Sequence, residues 1–233
     1  MLLDANPGEV MKQLRERVVK LRDSAEFDKE LWKELYNDDF QRHQINSISM
    51  EEMLSFDKVQ YRFEDIIKEI KEGDKVLDVG CSDGYFLNAL LLKKMVKAYG
   101  VDASSHAINA AREHNKEFEF KEGFVEYLPY DNDSFDVVVC SEVLEHVYDV
   151  DKSVSELKRV CKPGGKLFIT TPIMMNLLDP LHIRFFDYYK TGDNVEGLWE
   201  LFSKYFTDFK IYTSYKNINE KNGERIFYIK CKK

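Results

Sequence analysis

Three short stretches carry residue types whose spacing could do chemistry. The first is Lys75-Val-Leu-Asp-Val-Gly-Cys-Ser-Asp-Gly-Tyr-Phe86, an apolar run that ends near Asp78 and breaks into Gly80 and Gly84 before a new apolar run. Read as strand, tight turn and helix start, it gathers main-chain N–H groups at one point, and the missing Cβ atoms let a ligand come close to the backbone. The second is Asp102 in Tyr99-Gly-Val-Asp-Ala-Ser104, an acid one strand later that can accept the two hydroxyls of a ribose. Its bland reading is a helix N-cap, and that of Asp78 is a carboxylate capping the glycine loop. The third is Glu142-Val-Leu-Glu145-His146. In a helix, positions i, i+3 and i+4 share a face, so two carboxylates and an imidazole would converge.

Absent patterns narrow the ligand. A dinucleotide fold wants G-x-G-x-x-G and a P-loop wants G-K-[ST], whereas here Gly80 and Gly84 are separated by three residues and no Lys follows. The combination with Asp102 points to a nucleoside without a pyrophosphate. For the third stretch three readings stay open. His146 acts as a general base; the trio holds a divalent cation that acidifies a hydroxyl; or two solvated carboxylates flank a structural imidazole.

These stretches need elements to position them. Apolar residues at helical spacing (Val10, Leu14, Val18, Leu21, then Phe27, Leu31, Leu35) predict two amphipathic helices over 9–36, and Phe56 to Ile70 predict a third over 55–70. Arg42 and His43 lie in the polar connector between them. From Lys75 onward strands at 75–80, 97–102, 117–121, 135–140, 165–171, 208–215 and 225–231 alternate with helices at 84–95, 105–114, 142–148, 151–161 and 195–204, the pattern of a mostly parallel α/β sheet. Pro163-Gly-Gly165 supplies the turn into the fifth strand. The last two strands join through a hairpin-like connection with Gly223. The chain divides into a helical cap or lid over 1–72 and a ligand-binding domain over 73–233.

Composition sets outer bounds. With 233 residues the chain can bury one large core, and a net charge of −8 speaks against a broad nucleic-acid surface. No apolar run approaches the ~20 residues of a membrane span, and the N-terminus lacks a signal-peptide pattern, so a cytoplasmic protein with no membrane partner is expected. Cys81, Cys140, Cys161 and Cys231 show no C-x-x-C spacing and read as small core residues.

From residue 74 onward the chain resembles the class I S-adenosylmethionine-dependent methyltransferases. The resemblance rests on Val76-Leu-Asp-Val-Gly-Cys-Ser-Asp-Gly84, with Ser82 where a glycine is usual, and on Val101-Asp102. It extends through Glu122-Gly-Phe-Val-Glu-Tyr-Leu-Pro129, Ser134-Phe-Asp-Val-Val-Val-Cys-Ser-Glu-Val-Leu-Glu-His146 and Leu157-Lys-Arg-Val-Cys-Lys-Pro-Gly-Gly-Lys-Leu-Phe-Ile-Thr-Thr-Pro172. It implies a Rossmann-like seven-stranded sheet in the order 3-2-1-4-5-7-6 with the last strand antiparallel, S-adenosylmethionine as cofactor and S-adenosylhomocysteine as product. Implied cofactor residues are Asp78, Gly80, Cys81, Gly84, Asp102, Ala103, Phe124, Val125 and Ser141. Phe124 and Val125 hold adenine by stacking and backbone contacts where the family often has an acid.

The implied catalytic set is Glu142, Glu145 and His146 from the fourth block, with His182 and Arg184 from Leu181-His-Ile-Arg-Phe-Phe186, in the region where the family builds its acceptor pocket. A structural role for His182 and Arg184 is an equal rival. Tyr61, Tyr85, Phe185, Tyr188 and Tyr189 read as core or lid packing. The expectation is methyl transfer to a hydroxyl or amine of a small molecule, with a divalent metal the less favoured reading. Metal-assisted RNA 2′-O-methylation and a catalytically silent cofactor-binding scaffold are the alternatives.

Overall fold

The structure, a computed structural model, describes residues 29–30, 32–37, 57–172, 196–215 and 225–233. Seven runs rich in Val, Ile, Phe and Tyr form one sheet: β1 (Lys75–Val79), β2 (Lys97–Asp102), β3 (Glu119–Glu122), β4 (Phe135–Ser141), β5 (Cys161–Pro172), β6 (Asp208–Tyr215) and β7 (Arg225–Lys232). The order is β3-β2-β1-β4-β5-β7-β6, as the resemblance implies. Strands β1 to β5 run parallel, while β7 is antiparallel to both β5 and β6.

Alternate residues of the strands enter opposite apolar layers, as the two-residue side-chain period requires. Leu77, Val79, Val138, Cys140, Leu167, Ile169 and Ile229 pack against α4 (Val150–Val160) and α5 (Glu196–Ser203). On the other face Val76, Val137, Val139, Phe168 and Tyr228 meet residues from α1 (Asp57–Glu69), α2 (Tyr85–Leu91) and α3 (Ser105–His114). Both faces are covered, which is why the central strands read as near-continuous apolar runs. All four cysteines are buried and free. Among the described residues no helix is long and apolar enough to cross a membrane.

Two expectations are corrected. Residues 142–148 form a turn, not a helix. Glu142 leaves β4 with left-handed backbone, φ +55°, its N–H donating to the Thr170 carbonyl at 2.9 Å, and the Tyr148 N–H that a helix would pair donates instead to the Glu126 carboxylate at 2.9 Å, as does that of Asp149 at 3.3 Å. Pro163-Gly-Gly165 does not precede β5 but lies inside it, in an irregularity where pairing jumps from Phe135↔Cys161 to Val137↔Lys166. Helices expected over 9–28 lie outside the described residues; residues 32–37 are helical, and the third helix is α1.

Helix α1 is fastened to the sheet by Glu69, whose carboxylate accepts from Lys166 on β5 and Lys230 on β7, each at 2.7 Å. These two ammonium groups hold its pKa down, from 4.5 to about 2. A depressed carboxylate pKa contributes stability that is present above the unfolded value and lost as pH falls through the folded one. Thermal unfolding of the wild type should therefore lose more Tm between pH 5 and pH 2 than Glu69→Gln does; parallel curves would show that the pair of lysines contributes nothing.

Candidate functional site

Parallel sheets bind ligands at the carboxyl ends of their strands, at the point where strand order reverses. Here that point lies between β1 and β4, and a cavity of about 210 Å³ opens beside it. Its walls come from the turn after β1 (Gly80, Ser82), the end of β2 (Asp102, Ala103, Ser104), the segment after β3 (Gly123 to Glu126) and the turn after β4 (Glu142, Val143, His146, Val147), with Tyr36 from the N-terminal helical segment.

The turn after β1 is built by left-handed backbone. Gly80 has φ +73°, Ser82 +49° and Gly84 +85°. Ser82 thus adopts the conformation glycine would, and the turn keeps its shape without the usual third glycine. A Cβ on Gly80 would fall inside the Val143 Cγ2 methyl, so only glycine lets the β1 and β4 turns close together. Gly84 faces away from the cavity, where a Cβ would stand 3.2 Å from the Phe120 ring, and caps the seven-residue α2.

The N–H groups of this turn are already paired. Gly80 and Cys81 donate to the Val101 carbonyl at 2.8 and 3.1 Å, and Ser82 donates to Asp102 Oδ2 at 2.9 Å. The first-turn expectation of open amides therefore fails, because β2 consumes them. Asp102 Oδ1 accepts the Ser104 N–H at 2.8 Å. A carboxylate offers about four acceptor sites, and these two amides occupy two, so the group is oriented and retains capacity for a diol.

Asp78 is buried beneath the turn, and burial first, then the Asp102 charge, pushes its pKa well above the carboxylate range. Cys81 is also buried, joins the apolar layer on the α2 side, and has its thiol pKa raised by the same burial. Neither lines the cavity. Ser141 does not line it either; its hydroxyl meets Thr170 Oγ1 at 2.8 Å. Gly80, Asp102, Ala103, Phe124 and Val125 do line it.

Of the catalytic candidates, Glu142 and His146 reach the cavity, whereas Glu145 is 2% exposed and accepts a bond from Thr171 Oγ1 at 3.3 Å. Its Oε1 stands 3.9 Å from His146 Nε2, an ionic contact when the imidazole is protonated. Because the segment is a turn, the trio does not share one face. Among the described residues no group of three or more His, Cys, Asp or Glu is placed to hold a metal ion. His182, Arg184, Phe185, Tyr188, Tyr189, Arg42 and His43 lie outside the described residues, as does the side chain of Tyr61; Tyr85 is buried against Phe63, their ring centroids 5.9 Å apart.

Sequence reasoning missed Tyr36, Ser104 and Glu126. Tyr36 donates its hydroxyl to the His146 carbonyl at 2.6 Å and tilts its ring against Phe124 at 6.2 Å. Trp32, one turn earlier, is buried, and Asn37 Oδ1 accepts the Ser104 hydroxyl at 2.8 Å. Glu126 is buried and its pKa is raised by desolvation, against the pull of the amides it accepts. An acid inside the apolar block Phe124-Val-Glu-Tyr-Leu128 was a signal for Glu126; nothing local singled out Tyr36.

Residues 77–169 match the family model described as a methyltransferase domain. With the strand order and the cavity at the β1/β4 switch, this match places that stretch among the class I S-adenosylmethionine-dependent methyltransferases. A curated relative is the ubiquinone biosynthesis O-methyltransferase of Coxiella burnetii, 36% identical over 104 residues that make up 43% of this chain and 44% of the relative. The similarity thus spans less than half of that protein's length. Among solved structures, YcgJ from Bacillus subtilis superposes with a TM-score of 0.58 at 19% identity, covering 75% of this chain and 98% of that one. A phosphoethanolamine N-methyltransferase 2 from Haemonchus contortus, bound to phosphomonomethylethanolamine and S-adenosylhomocysteine, gives 0.57 at 18% identity, covering 74% and 52%. At these identities the two structures establish the fold.

Two stability tests follow. Gly80→Ala forces a side chain into left-handed backbone and into Val143, and should cost about 2–4 kcal/mol in urea unfolding, with Val143→Ala recovering the packing part; an unchanged midpoint would refute the close approach. Asp78 has a folded pKa above its unfolded value of 3.8, so its burial costs stability as pH rises from that value. Asp78→Asn should therefore raise Tm relative to wild type at pH 7 and lose that advantage below pH 4.

Proposed function

We propose that the protein is a methyltransferase that uses S-adenosylmethionine, releases S-adenosylhomocysteine and methylates a hydroxyl or amine of a small molecule. The observation that carries this reading is Asp102, held by two backbone amides in the wall of a cavity that the rings of Tyr36 and Phe124 also line. These residues fit the cofactor. Asp102 can accept a ribose diol, and Phe124 and Tyr36 offer aromatic rings to a flat base.

When bound, S-adenosylmethionine supplies a sulfonium methyl group already activated for in-line displacement, so the chain must mainly orient the acceptor and take its proton. His146 is the residue we assign to the proton. Its Nδ1 is buried, which leaves Nε2 to accept it, and Glu145 Oε1, 3.9 Å from Nε2, balances the charge that forms. The His146 backbone is fixed at both ends, its N–H donating to the Val143 carbonyl at 2.9 Å and its own carbonyl accepting from Tyr36. We assign residues 29–30 and 32–37 to a cap over the cofactor end, and His182 and Arg184 to the acceptor side on the resemblance alone. The small-molecule acceptor is supported by the name of the Coxiella relative and by the acidic charge of the chain. A cytoplasmic location belongs to the same reading.

Calorimetry with S-adenosylmethionine tests the assignment. Asp102→Ala should lose at least about 100-fold in affinity, the scale of two charge-assisted hydrogen bonds. Undiminished binding would overturn the site. Incubating the wild type with methyl-labelled cofactor and a metabolite extract, followed by mass spectrometry, should place label on a small hydroxyl or amine compound; binding without any transfer would make the protein a silent scaffold.

A further inference from the structure

Glu142 is bound twice to one neighbour. Its N–H donates to the Thr170 carbonyl at 2.9 Å, and its Oε1 accepts from Thr170 Oγ1 at 2.8 Å. It does so with φ +55°, a left-handed backbone that non-glycine residues seldom adopt, and one that persists where the surroundings over-determine it. Thr170 is fully buried on β5, directly opposite Ser141 on β4, and the two hydroxyls are 2.8 Å apart.

The direction of these bonds follows from the donor count. A hydroxyl has one hydrogen, and an ionised carboxylate only accepts. Thr170 therefore gives its hydrogen to Glu142, and Ser141 must give its own to Thr170. Ser141 thus supports the Thr170 hydroxyl, which of the two is the one that donates to the carboxylate, and a charge-assisted bond of this kind is about twice as strong as a neutral one. The acid so held lines the cavity next in sequence to Val143, which packs on Gly80, and shares that cavity with Asp102 and Ser104.

We propose that Thr170 is a positioning residue that holds the Glu142 carboxylate to receive the α-ammonium group at the amino-acid end of the cofactor. This rests on the reading of the site as one for S-adenosylmethionine. With ribose at Asp102 and base at Phe124, the 5′ substituent is directed toward β4. That substituent ends in an amino acid whose cation matches a carboxylate fixed in place before the ligand arrives. Glu142 thereby moves from the catalytic set, where its sequence spacing from His146 put it, to the cofactor set.

The test uses two ligands that differ at that end. S-adenosylhomocysteine carries the amino acid; 5′-methylthioadenosine carries the same nucleoside without it. In calorimetry on the full chain, Thr170→Val should weaken S-adenosylhomocysteine by at least about tenfold, the range for a lost hydrogen bond to a charged group, and leave methylthioadenosine within about twofold. Thr170→Ser, which returns the hydroxyl, should restore the first affinity. Glu142→Gln should reproduce the selective loss, and it decides the matter if Thr170→Val does not fold. Equal weakening of both ligands would reduce Thr170 to a structural role, and no change in either would separate Glu142 from the ligand; both results overturn the proposal. Failure of the wild type to bind S-adenosylhomocysteine while it stays folded would instead overturn the cofactor assignment on which the proposal stands.

Discussion

The carboxylate of Asp102 joins two turns that have no other covalent or sequential reason to meet. One oxygen accepts from Ser82 in the turn after β1, and the other from Ser104 in the turn after β2. The bridge exists because β1 and β2 are parallel neighbours in register, Val79 opposite Val101, so their ends coincide. Hydrogen bonds to a charged group contribute about 1.5–3 kcal/mol each, enough to hold a glycine turn in one shape. The same arrangement explains why this turn is no phosphate cradle. Its amides are spent on Val101 and Asp102, and what remains at the rim is an acceptor, suited to hydroxyls and cations.

The other wall repeats the logic with different parts. After β4 the chain leaves the sheet through a left-handed Glu142, held by Thr170 of the next strand, and continues as a turn because Glu126 takes the amides of Tyr148 and Asp149. Glu126 itself comes from the segment after β3. Each wall of the cavity is thus fastened to its neighbour by a carboxylate receiving backbone or hydroxyl donors. The cost of gathering acids shows in Asp78, which burial and Asp102 push well above the carboxylate range, and in Glu126. A ligand carrying positive charge would offset that cost, which is the electrostatic complement of a sulfonium cofactor.

The N-terminal segment adds a third layer of coupling. Trp32 is buried, Asn37 reaches Ser104 beside Asp102, and Tyr36 reaches the carbonyl of His146. One short stretch therefore touches both the Asp102 side and the His146 side of the cavity. Lys33 pairs with Glu122 at the end of β3, across the same rim. Its contacts are mostly hydrogen bonds to groups that are themselves bonded to the strand ends, so its position follows theirs.

What the sequence determined by itself was whatever a local rule can read. Strands 97–102 and 208–215 and helix 105–114 have the expected bounds because apolar period and caps such as Ser104 act within a few residues. The glycine turn and Asp102 stand in blocks whose chemistry is contiguous, and the strand order is what the family resemblance of those blocks implies. Glu142 to His146 shows the limit. Its helical spacing is real, yet Glu126, 22 residues away, takes the Tyr148 N–H that a helix would pair, and Thr170, 28 residues away, holds Glu142 in left-handed backbone. Tyr36 lies 110 residues from His146 and carries no pattern that distinguishes it from a core aromatic. Only the tertiary structure could bring these groups together, because a hydrogen bond competes on geometry and burial, and neither is written in the spacing of the residues that lose the competition.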